Sequence, residues 1–439
     1  MKTRYLLIGI IVLSMGSGSC TCHDGAYGEP WELTEEFENE GDGAVDFDAD
    51  DTGVDTSDTT DIGPDTSDTS DTLDTRDTED VPDAEPEDPW EPIDVDPSVP
   101  FQNALTDRTS LAIDENGTFW LGFHTCDTRD CSDSTLAVAR KPQGEEWTVE
   151  EIERHSGIFG LEIMEPERPV VVFTQDLDDS FKSATRLGEP SWAVRQFPVV
   201  RNGRGDGFDI THDEERFYVT FAGDGAPQVE LFTRPQGASP DDWVRRDSLA
   251  VRDPQAAMER GFRADTNGSA YLVHRSDSQG TYGISRYDFG LDRWPQSEYL
   301  DEYDSIFVHS FYITDDFRLC QSGNFQDELV VMCGSMFDLT ADSRHFRTEH
   351  LAPRHPSSII EGDDGTLYVA YNPEGNDELR VARLRPGRSW TTGWETITVY
   401  DGPSYGVSTA IGLNGDLAIS FYTCDDNDVC SLKLVVENP

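Results

Sequence analysis

From Thr109 to the carboxyl terminus, short runs of alternating apolar and polar residues are punctuated by Asp, Asn and Gly, and a pair of such runs recurs seven times. The pairs read TSLAIDENGTFWLGF from Thr109, FGLEIMEPERPVVVF from Phe159, GFDITHDEERFYVTF from Gly207, GFRADTNGSAYLVH from Gly261, HSFYITDDFRLC from His309, SSIIEGDDGTLYVAY from Ser357 and VSTAIGLNGDLAISFY from Val407. Alternation sends successive side chains to opposite faces of a strand. Asp, Asn and Gly supply the backbone conformations that tight reversals need. Each pair is therefore predicted to be a β-hairpin.

Third runs follow as TLAVARK from Thr135, QVELFTR from Gln228, ELVVMC from Glu328, ELRVARL from Glu378 and SLKLVV from Ser431. Fourth runs begin near Trp147, Trp192, Trp243, Trp294, Phe346 and Trp394, at spacings of 45, 51, 51, 52 and 48 residues. Four strands per unit at this period, with no helical pattern of comparable length, predict blades set radially around an axis. The expected fold class is all-β, a seven-bladed β-propeller of four-stranded antiparallel blades; six and eight are the alternative counts.

The seventh unit ends at Val436 without a fourth run, whereas a spare tryptophan-led run, Trp90-Glu91-Pro92-Ile93-Asp94-Val95, precedes the first unit. A closed ring needs its two ends joined. Residues 89–97 are therefore expected to form the outer strand of the last blade, where Pro92 is tolerated because an edge strand does not need its missing N–H. The domain is set at 89–439 and expected to be a monomer.

The repeats resemble those of secreted propellers from delta-proteobacteria and, more distantly, the propellers of the sialidase superfamily. The sialidase Ser-x-Asp-x-Gly-x-Thr-Trp box usually lies between third and fourth strands. Here its nearest matches, Asp114 to Trp120 and Asp363 to Tyr368, fall between first and second strands and lack the Ser. The resemblance implies an architecture rather than a chemistry.

The amino terminus begins with Lys2 and Arg4, continues through an apolar run from Tyr5 to Met15, and reaches Gly16-Ser17-Gly18-Ser19 before Cys20. That is the three-part form of an export signal, expected to occupy 1–19. The apolar run is too short to span a bilayer about 30 Å thick as a helix. Small residues before a cysteine resemble the lipobox of bacterial lipoproteins, which implies acylation of Cys20 and a membrane attachment through lipid alone. Ser17 departs from the family's usual Leu, and ordinary secretion with cleavage nearby is the alternative. Thr21 rather than Asp after the cysteine implies the outer membrane or cell surface.

Residues 20–88 contain DTGVDTSDTTDIGPDTSDTSDTLDTRDTED from Asp51 and almost nothing apolar that recurs. Low hydropathy with high like charge cannot bury enough surface to offset the entropy of ordering, so a disordered acidic tether is expected. The net charge of the whole chain is −54. Residues 21 to 100 hold 29 acidic side chains against Arg76 alone, and those beyond 100 hold 58 acidic and 30 basic. Both parts repel phosphate backbones, and a nucleic-acid partner is excluded.

Six cysteines beyond Cys22 fall into three local pairs, Cys126 with Cys131, Cys320 with Cys333, and Cys424 with Cys430. An even count in an exported chain predicts disulfides. The first and third pairs occupy the loop between second and third strands, and the second pair is expected to flank the same loop of the fifth unit. These spacings, with no histidine pair in register, are not a zinc framework. Asp127, Asp130, Asp133, Asp425, Asp426 and Asp428 offer hard oxygen ligands for calcium, but without the twelve-residue loop that would specify it. No cofactor is expected.

Loops between second and third strands share a face with the loops that join blades, and ligands usually bind there. The residues entering each first strand, Arg108, His155, Asp206, Arg260, His309, His355 and Tyr405, are the ligand-facing candidates, a mixture suited to an acidic or sugar ligand. No Gly-x-Ser-x-Gly, His-Glu-x-x-His or phosphate loop occurs, and no catalytic residue is assigned. The expected function is a binding module for a protein or glycan. A sialidase-type enzyme and a structural envelope scaffold are the alternatives.

Overall fold

The computed structural model describes residues 90–437 apart from loop segments, chiefly 96–100, 103–108, 127–133, 176–179, 198–207, 223–227, 251–261, 265–268, 276–281, 301–306, 336–343, 348–356, 374–376 and 425–428. The expected signal at 1–19, Cys20 and the linker at 20–88 lie outside the described residues.

Two short strands, β1 (Ile93–Asp94) and β2 (Phe101–Gln102), precede blade one, which is β3 (Ser110–Ile113), β4 (Phe119–Cys126), β5 (Ser134–Lys141) and β6 (Thr148–Arg154). Blade two is β7 (Ser156–Glu162), β8 (Val170–Gln175), β9 (Ser180–Gly188) and β10 (Ser191–Gln196). Blade three is β11 (Phe208–His212), β12 (Arg216–Ala222), β13 (Gln228–Pro235) and β14 (Val244–Ala250). Blade four is β15 (Phe262–Ala264), β16 (Ala270–Arg275), β17 (Tyr282–Tyr287) and β18 (Ser297–Leu300). Blade five is β19 (Phe307–Ile313), β20 (Arg318–Phe325), β21 (Glu328–Ser335) and β22 (Arg344–Arg347). Blade six is β23 (Ser358–Glu361), β24 (Leu367–Tyr371), β25 (Glu378–Leu384) and β26 (Trp394–Asp401). Blade seven contributes β27 (Tyr405–Ile411), β28 (Leu417–Cys424) and β29 (Val429–Val436).

Each blade is a four-stranded antiparallel sheet paired in chain order, and the seven form a ring. The fourth strand of blade seven comes from the other end of the domain. Ile93 and Asp94 oppose Leu434 and Lys433 of β29, and Phe101 and Gln102 oppose Cys430 and Val429 farther along the same strand. The outer strand thus arrives in two pieces.

The repeated tryptophans are wedges between blades. Trp192 Nε1 of blade two donates to Glu150 Oε2 of blade one at 2.6 Å, and Trp243 Nε1 of blade three donates to Ser183 Oγ of blade two at 3.0 Å. Trp90 takes the same role for blade seven. It is buried against Tyr368, Leu379 and Val381 of blade six and Leu417, Ile419 and Val435 of blade seven.

First strands of successive blades touch one another around the axis, for example β27 with β3, β3 with β7 and β19 with β23. A small polar side chain on one first strand accepts from a backbone N–H of the next. Ser408 Oγ accepts from Leu111 at 3.2 Å, Ser110 Oγ from Leu161 at 3.1 Å, Asp209 Oδ2 from Phe262 at 3.1 Å and Ser310 Oγ from Ile359 at 3.4 Å. Inner strands have one edge without a partner in their own sheet, and these bonds satisfy part of it.

Two third strands, β9 and β17, belong to units in which the sequence shows no third run. In β9, Lys182 and Arg186 interrupt the apolar alternation. Arg186 is nevertheless buried, at 2% exposure, because Glu150 (2.9 Å) and Glu167 (3.3 Å) neutralise it and the Trp120 ring lies 5.2 Å from its guanidinium. Paired and stacked, a guanidinium can occupy a core position that an apolar pattern would not mark.

The disulfides Cys424–Cys430 and Cys320–Cys333 are both formed. Cys424 and Cys430 close the tip of the β28–β29 hairpin. Cys320 and Cys333 are directly opposed in β20 and β21, but toward the end of those strands farthest from the connecting loop, whose first rung is Phe325 opposite Glu328. They thus flank that loop across the hairpin, as expected, from the part of the strands nearer the lower face. The side chain of Cys126 and the whole of Cys131 lie outside the described residues.

Candidate functional site

Antiparallel blades give the ring two unlike faces. The upper face carries the loops between second and third strands and the blade-to-blade connections. The lower face carries the remaining hairpin turns.

Of the seven ligand-facing candidates, His155 and Tyr405 have described side chains, both partly exposed on the upper face. His309 lies within β19 with its side chain outside the described residues, and Arg108, Asp206, Arg260 and His355 lie wholly outside them. So do the calcium candidates Asp127, Asp130, Asp133, Asp425, Asp426 and Asp428. Among the described residues no group of three or more His, Cys, Asp or Glu side chains could hold a metal ion.

His155 joins β6 to β7 and adopts a left-handed backbone, φ 53°. Non-glycine residues rarely do so, and such strain persists only where the surroundings enforce it. Here they do. Its N–H donates to Ser134 O at 2.6 Å, Ser134 Oγ donates to Ser156 O at 2.8 Å, and Gln175 Nε2 of blade two donates to the carbonyls of Arg154 (2.9 Å) and His155 (3.3 Å). The connection is pinned from both blades, which leaves the imidazole on a fixed stem.

Tyr405 opens β27 and lies opposite Tyr422 on β28. The loop before it is held by Asn372 at the end of β24, whose Nδ2 donates to the carbonyl (3.2 Å) and hydroxyl (2.9 Å) of Ser404. Asn372 is 3% exposed, and its Oδ1 has no hydrogen-bond partner among the described residues. A buried acceptor left in this state usually marks the place of a water or ligand donor.

Tyr422 links this junction to the next blade, its hydroxyl accepting from the His124 N–H at 3.4 Å. The His124 ring meets Phe159 of β7 edge-on, with centroids 4.8 Å apart. Phe159 comes this close because Gly122 has no side chain, and a Cβ there would lie 2.6 Å from the ring. Blades seven, one and two thus bring Tyr405, Tyr422, His124 and Phe159 together, with Tyr422 and His124 buried and Tyr405 and Phe159 the partly exposed members.

His124, Asn372 and Tyr422 were not among the sequence candidates. They share a place, just past the apolar stretch of a second strand in FHTC, YNP and FYTC. That shared polar position was the available signal.

The upper face of blade six also carries an ion pair in which Arg380 bonds Glu378, with Thr398 Oγ1 donating to Glu378 Oε2 at 2.8 Å. The Arg380 bond holds the Glu378 carboxyl below its usual range and raises the Arg380 guanidinium. Burial raises the Tyr371 hydroxyl. These groups keep fixed charge states near neutral pH, as suits recognition by fixed charges.

No protein-family profile matches the chain, and no characterised protein matches it in sequence. Solved structures similar in fold include a puromycin-hydrolysing peptidase from Mycobacterium tuberculosis, 11% identical, with a TM-score of 0.52 over 74% of this chain and 50% of that one. The present chain therefore spans half the length of the peptidase. The polysaccharide lyase Uly1 is 9% identical, with a TM-score of 0.50 over 76% of this chain and 91% of the lyase. A protein of unknown function from Dyadobacter fermentans is 14% identical, with a TM-score of 0.47 over 79% and 99% of the two chains. The likeness is one of fold.

Proposed function

We propose that the protein is an exported, lipid-anchored protein of the outer membrane or cell surface, and that its propeller is a binding module taking a protein or glycan ligand on the upper face. The observation that carries the binding reading is the Asn372 acceptor, buried and without a donor among the described residues, tied through Ser404 to the loop that presents the partly exposed Tyr405. A rigid ring with aromatic side chains and one waiting polar group is how recognition surfaces combine affinity with orientation. Export is supported by the apolar run from Tyr5 to Met15 followed by Gly16-Ser17-Gly18-Ser19 and Cys20, and by the two formed disulfides, which fit an oxidising compartment.

Two measurements on the full-length protein test the reading. Replacing Cys20 by Ala should move the protein from the membrane fraction to the soluble one, and persistence in membranes would defeat the anchor. The detergent-solubilised protein should bind an envelope glycan or surface protein saturably, with affinity at least about tenfold weaker in Tyr405→Ala. Turnover of a fluorogenic sialoside would replace the binding module with a sialidase-type enzyme. Absence of any saturable ligand would leave an envelope scaffold.

A further inference from the structure

The lower face carries a cleft of about 620 Å³ between blades five and six. Two turns wall it, Gly362 to Gly365 between β23 and β24 and Arg385 to Trp390 after β25, and Thr314 and Arg318 of blade five complete the lining. We infer that this cleft is a second binding site, distinct from the upper face, and that its ligand is an acidic saccharide.

The floor is apolar. Cys320, Leu367 and Leu384 line it and belong to one buried cluster that also includes Cys333, so the disulfide ties the floor together. Trp390 forms a wall. It lies outside the repeating set of blade tryptophans, whose member here is Trp394, and it rests on that residue edge-to-face with centroids 5.8 Å apart. A partly exposed tryptophan supported from behind offers a fixed apolar plate, as the C–H face of a sugar ring requires.

The rim supplies charge of both signs. Arg318, Arg385 and Arg388 stand with Glu361, Asp363 and Asp364. Asp364 is turned into its own hairpin, where its oxygens accept from Thr366 N and Oγ1, each at 2.8 Å. Guanidinium groups bind carboxylates in a fork, and carboxylates accept from hydroxyls. A saccharide with a carboxylate and free hydroxyls satisfies both. A peptide carboxyl terminus would meet the arginines, but its backbone brings no hydroxyl donors to Glu361 and Asp363. In a chain of net charge −54, a rim whose three arginines balance its three carboxylates repels an anion less than the chain's average surface does, although Arg385 also lies 3.7 Å from Glu395.

The walls are preset. Gly365 has φ +78°, and a Cβ there would lie 3.3 Å from Pro386 Cγ, so the two turns interlock at that point. Little ordering remains for the ligand to impose. The volume falls within the range of about 300 to 1,000 Å³ common to small-ligand sites.

The test titrates the full-length, detergent-solubilised protein with a hexuronate-containing tetrasaccharide, a neutral glucose tetrasaccharide and an acidic tetrapeptide, by calorimetry and tryptophan fluorescence. The hexuronate oligosaccharide should bind saturably and perturb the fluorescence, more weakly at high salt, and the neutral one at least about tenfold more weakly. Trp390→Ala and Arg388→Gln should each weaken binding at least about tenfold, and Arg388→Gln, at an exposed turn, should do so with an unchanged urea midpoint. Tyr405→Ala should leave it unchanged, which separates this site from the upper face. No saturable binding of the hexuronate oligosaccharide would overturn the inference, as would binding indifferent to both cleft substitutions. Tighter binding of the peptide would make the cleft a peptide site instead.

Discussion

Lys433 and Asp94, 339 residues apart in the chain, are directly opposed rungs of one antiparallel ladder and form an ion pair across it. This is the seam of the ring. Around it the backbone N–H of Val95 donates to Leu432 O at 3.1 Å, and Thr109 Oγ1 meets Ser420 Oγ at 2.8 Å between blades one and seven. Closure therefore depends on a short segment that is remote in sequence from everything it touches.

Removing that segment should open the ring. A chain beginning at Phe101 should unfold at lower temperature than one beginning at Asp83, and should self-associate through the exposed edge of β29. Trp90→Ala should cost about 3 to 5 kcal/mol, as expected for a buried tryptophan. Urea unfolding and light scattering read both effects. Equal stability and monomeric behaviour of the two truncations would contradict the seam.

Glu150→Ala should be more damaging than its place on a fourth strand suggests. Arg186 is 2% exposed and Glu150 10%, so the substitution strips one partner from a buried guanidinium and leaves Glu167 as its remaining carboxylate. It also removes the acceptor of Trp192 Nε1. A loss of about 3 kcal/mol is expected, within the range for a broken buried pair. A change below about 1 kcal/mol would mean that Arg186 is already satisfied without Glu150.

Blades two and three should be joined more firmly in acid. His212 Nδ1 of β11 lies 3.1 Å from Glu162 Oε2 of β7. Burial disfavours the charged ring, but the hydrogen bond and charge of Glu162, helped by Asp213 and opposed by Arg263, raise its pKa above the ordinary value. A histidine raised in the folded state contributes stability fully below its unfolded pKa of about 6.5 and loses it as pH rises through the folded value. With both side chains about a third exposed, roughly 0.5 to 1 kcal/mol is at stake. The stability difference between the protein and His212→Gln should therefore be largest near pH 5 and shrink toward pH 9. A pH-independent difference would show that the pair carries no linked proton.

The two described disulfides should differ in worth. Cys320–Cys333 closes 13 residues of chain and Cys424–Cys430 closes 6. Loop-closure entropy assigns about 3 kcal/mol to the longer and about 2 to the shorter. Paired Ser substitutions followed by urea unfolding measure this, and the reverse order would show that native packing rather than chain entropy dominates.

The blade count, the strand order and the spare strand at Trp90 were legible in the sequence because hairpin alternation and turn chemistry are local. The third strand of blade two was not, because Arg186 looks polar in a linear pattern and becomes a core residue only when Glu150, Glu167 and Trp120 surround it. The pairing of Cys320 with Cys333 across a hairpin was legible, but not their distance from its loop. Their pairing follows from the hairpin, but which end of it they occupy depends on where the turn between β20 and β21 falls.

By itself the sequence determined the repeating unit, since a two-residue period and Asp, Asn and Gly turns admit only hairpins, and seven copies admit only a ring or an array. Tertiary structure decided which residues become neighbours. Tyr405, Tyr422, His124 and Phe159 meet because blade seven abuts blade one and blade one abuts blade two. Arg318, Gly365 and Trp390 share a cleft because blades five and six stand side by side and their lower ends meet there. No local pattern encodes either meeting. Adjacency around a closed ring is a property of the closure, and that closure rests on the few rungs between Ile93, Asp94 and β29.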